Sequence, residues 1–248
     1  VEIATHMEWL LFLGVVACLA GIAAIFYLAV RRGNAPAVVN AGASFLLVFV
    51  PVLVDVLASR FYGVRVGLPP ELPLWVAVVG LLHSYGMLGP YDEIVWWDHL
   101  THTLSAALVA ALLYAGVTVA LQYAPGAAGG GLIRAAVVLL TLLAGVFWEL
   151  IELLARDFGR KFDHPPVLEH YGRRDTVLDL FFDVTGAVVV LAADLQLFVP
   201  AARASPETTV AALVGGLGRL VVESLLVALI VGVEQAEPET PTGACWGG

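Results

Sequence analysis

The chain has 248 residues, of which 60% are hydrophobic and 13% are charged, and its formal net charge is −9. Several apolar runs reach the length of about 20 residues that a helix needs to cross a bilayer, which excludes a soluble globular domain. The acidic charge argues against a nucleic-acid partner, and two cysteines are too few for a disulfide framework.

The apolar residues fall into seven segments separated by polar or turn-forming stretches. The segments are residues 8–30, 37–58, 73–89, 98–121, 132–155, 176–199 and 209–233. They predict an all-α transmembrane bundle of seven spans, in which the first segment is a retained anchor. The third segment is short and contains His83, so a bundle of six spans remains an alternative.

Basic residues predict the orientation of the bundle, because Lys and Arg are enriched in cytoplasmic loops. The stretch from Arg156 to Arg174 holds five of the twelve basic residues, and we expect it to be cytoplasmic for either span count. With seven spans the N-terminus then lies outside.

The protein is therefore expected to be a multi-pass protein of the cell membrane, with the lipid bilayer as its partner. We expect residues 1–233 to form a single membrane domain. Residues 234–248 form an acidic tail that is rich in Glu, Pro and Gly and is predicted to be disordered. The sequence does not specify an oligomeric state.

Two ionisable residues open the fourth segment. Asp98 and His102 are four residues apart and therefore share one face of a helix. The carboxylate can fix the tautomer of the imidazole, or both side chains can bind one metal ion. The alternative is that Asp98 only caps the helix beside Trp96 and Trp97, but His102 lies a full turn deeper than a cap requires.

Two glutamates close the fifth segment. A charged side chain near the bilayer centre costs about 2.5–3.5 kcal/mol, so Glu149 and Glu152 are unusual there. Glu152 can pair with Arg156 one turn later, which would be a structural role. Glu149 has no basic neighbour at helical spacing and must contact another helix or stay protonated. It is the candidate catalytic residue.

Three aspartates repeat every four residues at the start of the sixth segment. Asp175, Asp179 and Asp183 form one stripe, and like charges at this spacing repel, so a compensating cation is expected nearby. Asp175 is expected to be the helix N-cap. Asp179 and Asp183 are candidate metal ligands. If each segment crosses once, all the acidic pairs lie in one layer near the cytoplasmic face.

These motifs resemble a known family. The sequence WWDHLTH at residues 96–102, the W-E-x-x-E pattern at residues 148–152 and the D-T-x-x-D-x-x-x-D-x-x-G-A pattern at residues 175–187 carry the similarity. They are similar to the YjdF-type family of predicted bacterial and archaeal inner-membrane proteins, which is distantly VanZ-like. The resemblance covers residues 91–191, and it implies a membrane fold and a site but no reaction.

The leading functional hypothesis is a divalent-metal site that acts on a lipid-linked or phosphorylated substrate. The candidate ligands are Asp98, His102, Glu152, Asp179 and Asp183, with Glu149 as the catalytic group. One imidazole among many carboxylates, without a thiolate, favours Mg²⁺, Mn²⁺ or Ca²⁺, with Zn²⁺ as a further candidate. Basic residues at 160, 161, 173 and 174 would steer an anionic lipid headgroup.

Two alternatives remain open. The acidic cluster could be a proton or cation relay in a transporter, which would need continuations such as Asp55 and Asp194 toward the opposite face. It could also be part of a non-catalytic scaffold. Interhelical polar contacts average only about 0.6 kcal/mol, so a group of acids is an inefficient way to hold helices together.

Overall fold

The computed structural model describes residues 2–63, 65, 67–123, 129–162 and 172–236, which form ten helices and no strand. The first half contains α1 (Glu2–Arg32), α2 (Ala35–Leu47), α3 (Val50–Tyr62), α4 (Glu71–Gly86) and α5 (Pro90–Glu93). The second half contains α6 (Trp97–Tyr123), α7 (Gly130–Lys161), α8 (Arg173–Ala192), α9 (Val199–Ala204) and α10 (Pro206–Ala236). The all-α prediction is confirmed.

Each of the seven predicted segments is largely helical, although the second is divided between α2 and α3 and the sixth extends past the end of α8. The count of seven or six spans is not confirmed. Four helices of the described chain, α1, α6, α7 and α10, are long and apolar enough to cross a membrane, or five with α2 and α3 taken as one bent span. Helix α4 has only 16 residues, fewer than a full crossing needs. Helix α8 carries three aspartates in its first eleven residues, which lowers its apolar character.

The second predicted segment is divided by a bend of 42° between α2 and α3. Pro51 lies in the first turn of α3, where it lacks the N–H that would continue the hydrogen bonds of α2. At the beginning of α2, the N-cap residue Asn34 fixes the preceding turn. Its side chain accepts from the Ala37 N–H at 3.0 Å and donates to the Met87 carbonyl oxygen at 3.1 Å.

The helices pack as two groups that meet where α4 contacts α6. Helices α1, α2 and α4 pack together, and α6 packs with α7, α8, α9 and α10. The most extensive contact is between α6 and α8, and around Gly186 it is formed by small residues, as in other membrane helix pairs. The buried residues there are Ala106, Ala107, Ala110, Ala111, Gly186 and Ala187.

Gly186 shows how near the two backbones lie. A Cβ atom added at this position would overlap the Thr103 carbonyl oxygen and lie 2.8 Å from the Ala107 backbone nitrogen. Because backbone atoms cannot move aside as a flexible side chain can, the packing of α6 against α8 requires glycine here.

The predicted tail, residues 234–248, begins inside a helix, since α10 continues to Ala236. Residues 237–248 lie outside the described residues, as do residues 163–171 of the basic stretch.

We predict that Gly186→Ala destabilises the protein by about 1–3 kcal/mol, because the added methyl group forces α6 and α8 apart. Gly218→Ala in α10 is the matched control, since a Cβ atom there meets nothing within 4 Å. Unfolding of the two variants in mixed micelles, followed by tryptophan fluorescence, provides the measurement. Equal stability of both variants would contradict the close approach.

The orientation predicted from the basic residues can be tested at two exposed positions. In a background with Cys245→Ser, we expect Lys161→Cys to react with a membrane-impermeant maleimide only from the cytoplasmic side. Arg203→Cys, which precedes α10, should react only from outside. Labelling of intact cells and of inverted vesicles distinguishes the two, and the reverse pattern would overturn the orientation.

Candidate functional site

Helices α6, α7 and α8 bring the predicted acids and His102 together at one end of the bundle. The first turns of α6 and α8 lie side by side because of the close approach at Gly186, and the later turns of α7 pack against α8. Four of the candidate side chains are buried: His102, Glu149, Asp179 and Asp183 are at most 7% exposed. The predicted convergence of three separate segments is therefore present in the structure.

His102 is the centre of this group. Its Nδ1–H donates to Asp183 Oδ1 at 3.2 Å. On the opposite edge of the ring, Nε2 lies 3.8 Å from Asp98 Oδ1 and 3.9 Å from Asp179 Oδ1, both longer than a hydrogen bond. The ring nitrogen that Asp183 leaves free therefore faces two carboxylates without being bonded to either.

Asp179 contributes a buried oxygen to the same space. Within the described part of the chain, Asp179 Oδ1 has no hydrogen-bond donor, although it lies 3.9 Å from both His102 Nε2 and His99 Nδ1. Glu149 approaches from α7. One ligand atom from each of His102, Glu149 and Asp179 lies within 4.8 Å of the others, close enough for one metal ion.

His99 is a functional candidate that the sequence analysis missed. It forms a second possible ligand group with Asp98 and Asp179, in which the ligand atoms again lie within 4.8 Å of one another. Its ring is stacked on Phe182 of α8 with centroids 4.3 Å apart and an interplanar angle of 12°. The signal in the sequence was the spacing of three residues between His99 and His102, which places both on neighbouring positions of one helix face.

Glu152 differs from the other predicted ligands, because it does not belong to either group that could hold a metal. Its Oε1 accepts a hydrogen bond of 2.8 Å from the Trp148 indole. The expected pair with Arg156 is absent among the described contacts, since Arg156 donates to Asp157 at 3.1 Å instead. Asp157 also pairs with Arg160.

Asp183 is likewise outside the two ligand groups, and its Oδ1 accepts the hydrogen bond from His102 Nδ1–H. The Asp183 carboxylate lies against Gly145 of α7, a residue that the sequence analysis did not identify. A Cβ atom at Gly145 would overlap Asp183 Oδ2 and lie 3.1 Å from Leu180. The absence of a side chain at this position makes the space for the carboxylate.

Asp175 does not cap α8 as predicted. The helix begins two residues earlier, at Arg173, and its N-cap is Gly172, whose φ of 108° is favourable only for glycine. Asp175 lies in the first turn, where a carboxylate still interacts favourably with the helix dipole.

A hydrogen-bond network supports the start of α6 from the neighbouring helices. Ser105 Oγ donates its one hydrogen to the Thr101 carbonyl oxygen at 2.7 Å. Ser105 Oγ must therefore accept from His83, whose Nε2–H lies 3.0 Å away. The Tyr91 hydroxyl donates to His83 Nδ1 at 2.6 Å. Burial raises the pKa of Tyr91, which keeps the phenol protonated as this arrangement requires.

The cluster lies at one end of a cavity of about 920 Å³. The polar residues that line this end are Tyr91, Asp92, Asp98, His102, Glu152 and Asp183. Of the two groups that could bind an ion, Asp98 and His102 line the cavity, whereas Glu149 and Asp179 lie buried behind them and are not part of its wall.

The comparison with known proteins identifies the family. Residues 12–198 match the model of a family described as predicted membrane protein (DUF2238). No curated protein and no solved structure matches the chain. The match does not support the YjdF-type or VanZ-like naming implied by the resemblance, and it extends far beyond residues 91–191, to include most of the first half. The chain therefore belongs to the DUF2238 family of predicted membrane proteins, and every candidate site residue lies within the matched region.

Proposed function

We propose that this membrane protein binds one divalent cation between α6, α7 and α8 and uses it to hydrolyse a phosphate ester. The ligands are His102 Nε2 and the carboxylates of Asp98 and Asp179, with His99 at the edge of the site. Asp183 orients the His102 ring. Glu149 is the catalytic group.

The observation that carries this proposal is the environment of His102 Nε2. Because Nδ1 faces Asp183, Nε2 is the ring nitrogen left for an ion, and it lies 3.8 Å from Asp98 and 3.9 Å from Asp179. One ring nitrogen and two carboxylates then face one another, with Asp98 the most exposed of the three. A carboxylate that fixes the tautomer of a metal-binding histidine is a common arrangement in metal sites.

The distances suit a cation. Ligand atoms less than about 4.2 Å apart can both reach one ion through bonds of about 2.0–2.2 Å, and Ca²⁺ accepts longer bonds of about 2.3–2.6 Å. A carboxylate-rich set with imidazole is compatible with Mg²⁺, Mn²⁺, Ca²⁺ or Zn²⁺. A bound divalent ion would polarise a phosphoryl oxygen and activate water for attack.

In the proposed reaction, water attacks phosphorus and the P–O bond to the alcohol breaks. Glu149 takes one proton from the attacking water and then gives it to the leaving alkoxide, so that the alcohol and phosphate are released and Glu149 is again ionised. The location of Glu149 supports this role, since one of its carboxylate oxygens lies within 4.8 Å of a ring nitrogen of His102 and of a carboxylate oxygen of Asp179. Glu152 lines the cavity beside this site, held by Trp148, and is placed to contact the substrate.

A transport pathway has less support. Gly186, Ala187 and Val190 follow Asp183 along α8, and these buried small or apolar side chains pack against α6. Beyond them, hydrogen bonds from Tyr114 and Gln196 hold the pKa of Asp194 below its ordinary value. Asp55 accepts from the Gly67 N–H at 3.1 Å. The two candidate continuations therefore make local contacts of their own.

Metal binding is tested by elemental analysis and thermal unfolding of the purified protein in detergent. We expect wild type to retain about one divalent ion per chain and His102→Ala to lose it. An ion at about 100 times its Kd stabilises the folded state by about 2.7 kcal/mol, so chelation should lower Tm by several degrees and one ion should restore it. Asp179→Asn should abolish this response.

Two further variants test whether the response to the ion depends on the cluster. Asp183→Asn should weaken ion affinity by about 10–100-fold without abolishing binding, because Asp183 acts through His102. Arg219→Ala in α10, outside the cluster, should behave as wild type. If chelation leaves wild type unchanged while Asp179→Asn raises Tm, the acids repel one another without an ion and the proton-relay alternative is favoured.

We predict that Glu149→Gln keeps the ion but lowers hydrolysis by about 10²–10⁴-fold, because the amide cannot accept the proton of water. The measurement is phosphate release from a soluble phosphomonoester and from a lipid phosphate in mixed micelles. Glu223→Gln in α10 is the matched control and should retain full activity. Equal activity of Glu149→Gln and wild type would remove Glu149 from the mechanism.

A further inference from the structure

We propose that the cavity beside the cluster binds the hydrocarbon chain of a lipid phosphate, whose phosphate group lies at Asp98 and His102. This inference rests on the proposed function and narrows its substrate to a lipid. Four features of the cavity support it: the polarity of the wall, the opening at the side, the length of the cavity and the charges at its polar end.

The cavity wall changes from polar to apolar along its length. Away from the cluster, its lining is formed by apolar side chains of α2, α3, α4 and α6, including Val39, Leu47, Val50, Val54, Leu72, Val76 and Leu112. Leu47, Val54 and Leu112 are between 40% and 54% exposed, so the protein leaves this apolar surface uncovered. A hydrocarbon chain matches such a wall, whereas a soluble phosphorylated metabolite does not.

The cavity also has an opening at its side, between two helices. Helices α2 and α7 both contribute to its wall, but within the described residues they do not contact each other. The floor between them is formed where α4 meets α6. A lipid can therefore enter sideways between α2 and α7 without leaving the hydrocarbon region of the membrane.

The dimensions agree with a single chain. From Asp98 to Leu112, the cavity follows α6 for about 21 Å at 1.5 Å per residue. This exceeds the thickness of one leaflet, which is about half of the 30 Å hydrocarbon core. Its volume of about 920 Å³ lies at the upper end of the range of about 300–1,000 Å³ that is typical of ligand pockets.

The charges at the polar end make lipid binding depend on the ion. Among the described residues that line the cavity there is no Lys or Arg, whereas Asp92, Asp98, Glu152 and Asp183 are present. A phosphate group would be repelled by these acids unless a divalent cation lies between them. The headgroup and the ion should therefore bind together.

The test uses two photoreactive probes that carry a diazirine at the end of one long alkyl chain: an alkyl phosphate and the corresponding alkyl alcohol. Purified protein in mixed micelles is irradiated with each probe, with or without the ion identified by elemental analysis, and labelled peptides are located by mass spectrometry. We expect the phosphate probe to label α3 and the Leu72 region of α4, and only in the presence of the ion. Unlabelled alkyl phosphate should compete, and glycerol phosphate should not.

Variants that fill the cavity provide the control. Val109→Trp on α6 and Val54→Trp on α3 should each reduce labelling by about tenfold while the bound ion is retained. Val189→Trp on α8, which is half-exposed and outside the cavity wall, should label as wild type.

Each outcome separates this inference from the proposed function. If the ion binds but labelling spreads over the outer helix surfaces and Val109→Trp changes nothing, the chain site is wrong and the metal site stands. If both probes label the cavity equally with or without ion, the chain site stands and the role of the ion is wrong. Competition by glycerol phosphate would overturn the lipid as the substrate class.

Discussion

The contact between α6 and α8 is the constraint on which the remaining structure depends. Gly186 lets the α8 backbone approach Thr103 and Ala107 of α6 directly, and buried alanines lie beside it. This packing aligns the first turns of the two helices, so that Asp179 and Asp183 lie opposite Asp98 and His102. A membrane provides little hydrophobic drive between helices, which makes such close van der Waals packing the main source of association.

The cluster of acids would oppose that packing if nothing compensated its charge. Burying carboxylates together is unfavourable both because they leave water and because they repel one another. His102 offsets only part of this, since it donates to Asp183 and leaves Asp98 and Asp179 at non-bonded distances. An ion that neutralises the site would therefore also stabilise the contact between α6 and α8, which couples the proposed function to the fold.

The second half of the chain supplies this site, and the first half supplies the wall that faces it. Helices α2, α3 and α4 contribute most of the apolar cavity, and the bend at Pro51 separates α2 from α3 along that wall. The family match from residue 12 to residue 198 spans both halves. Both the cluster and the apolar wall therefore lie within the region that the family shares.

The sequence by itself determined the membrane class and the helical segments, because apolar length and helical spacing are local properties of the chain. It also predicted that Asp98, His102, Glu149, Asp179 and Asp183 form a site, since ionisable groups within apolar segments are conspicuous, and the structure brings these five side chains to one end of the bundle. Only the tertiary structure showed that Asp183 contacts His102 Nδ1 whereas Asp179 lies near Nε2, and that Glu152 accepts from Trp148. It also showed that His99 and Gly145 lie beside the cluster. Those assignments depend on which side chains of different helices lie within a few ångströms, and spacing along one helix cannot specify a partner on another.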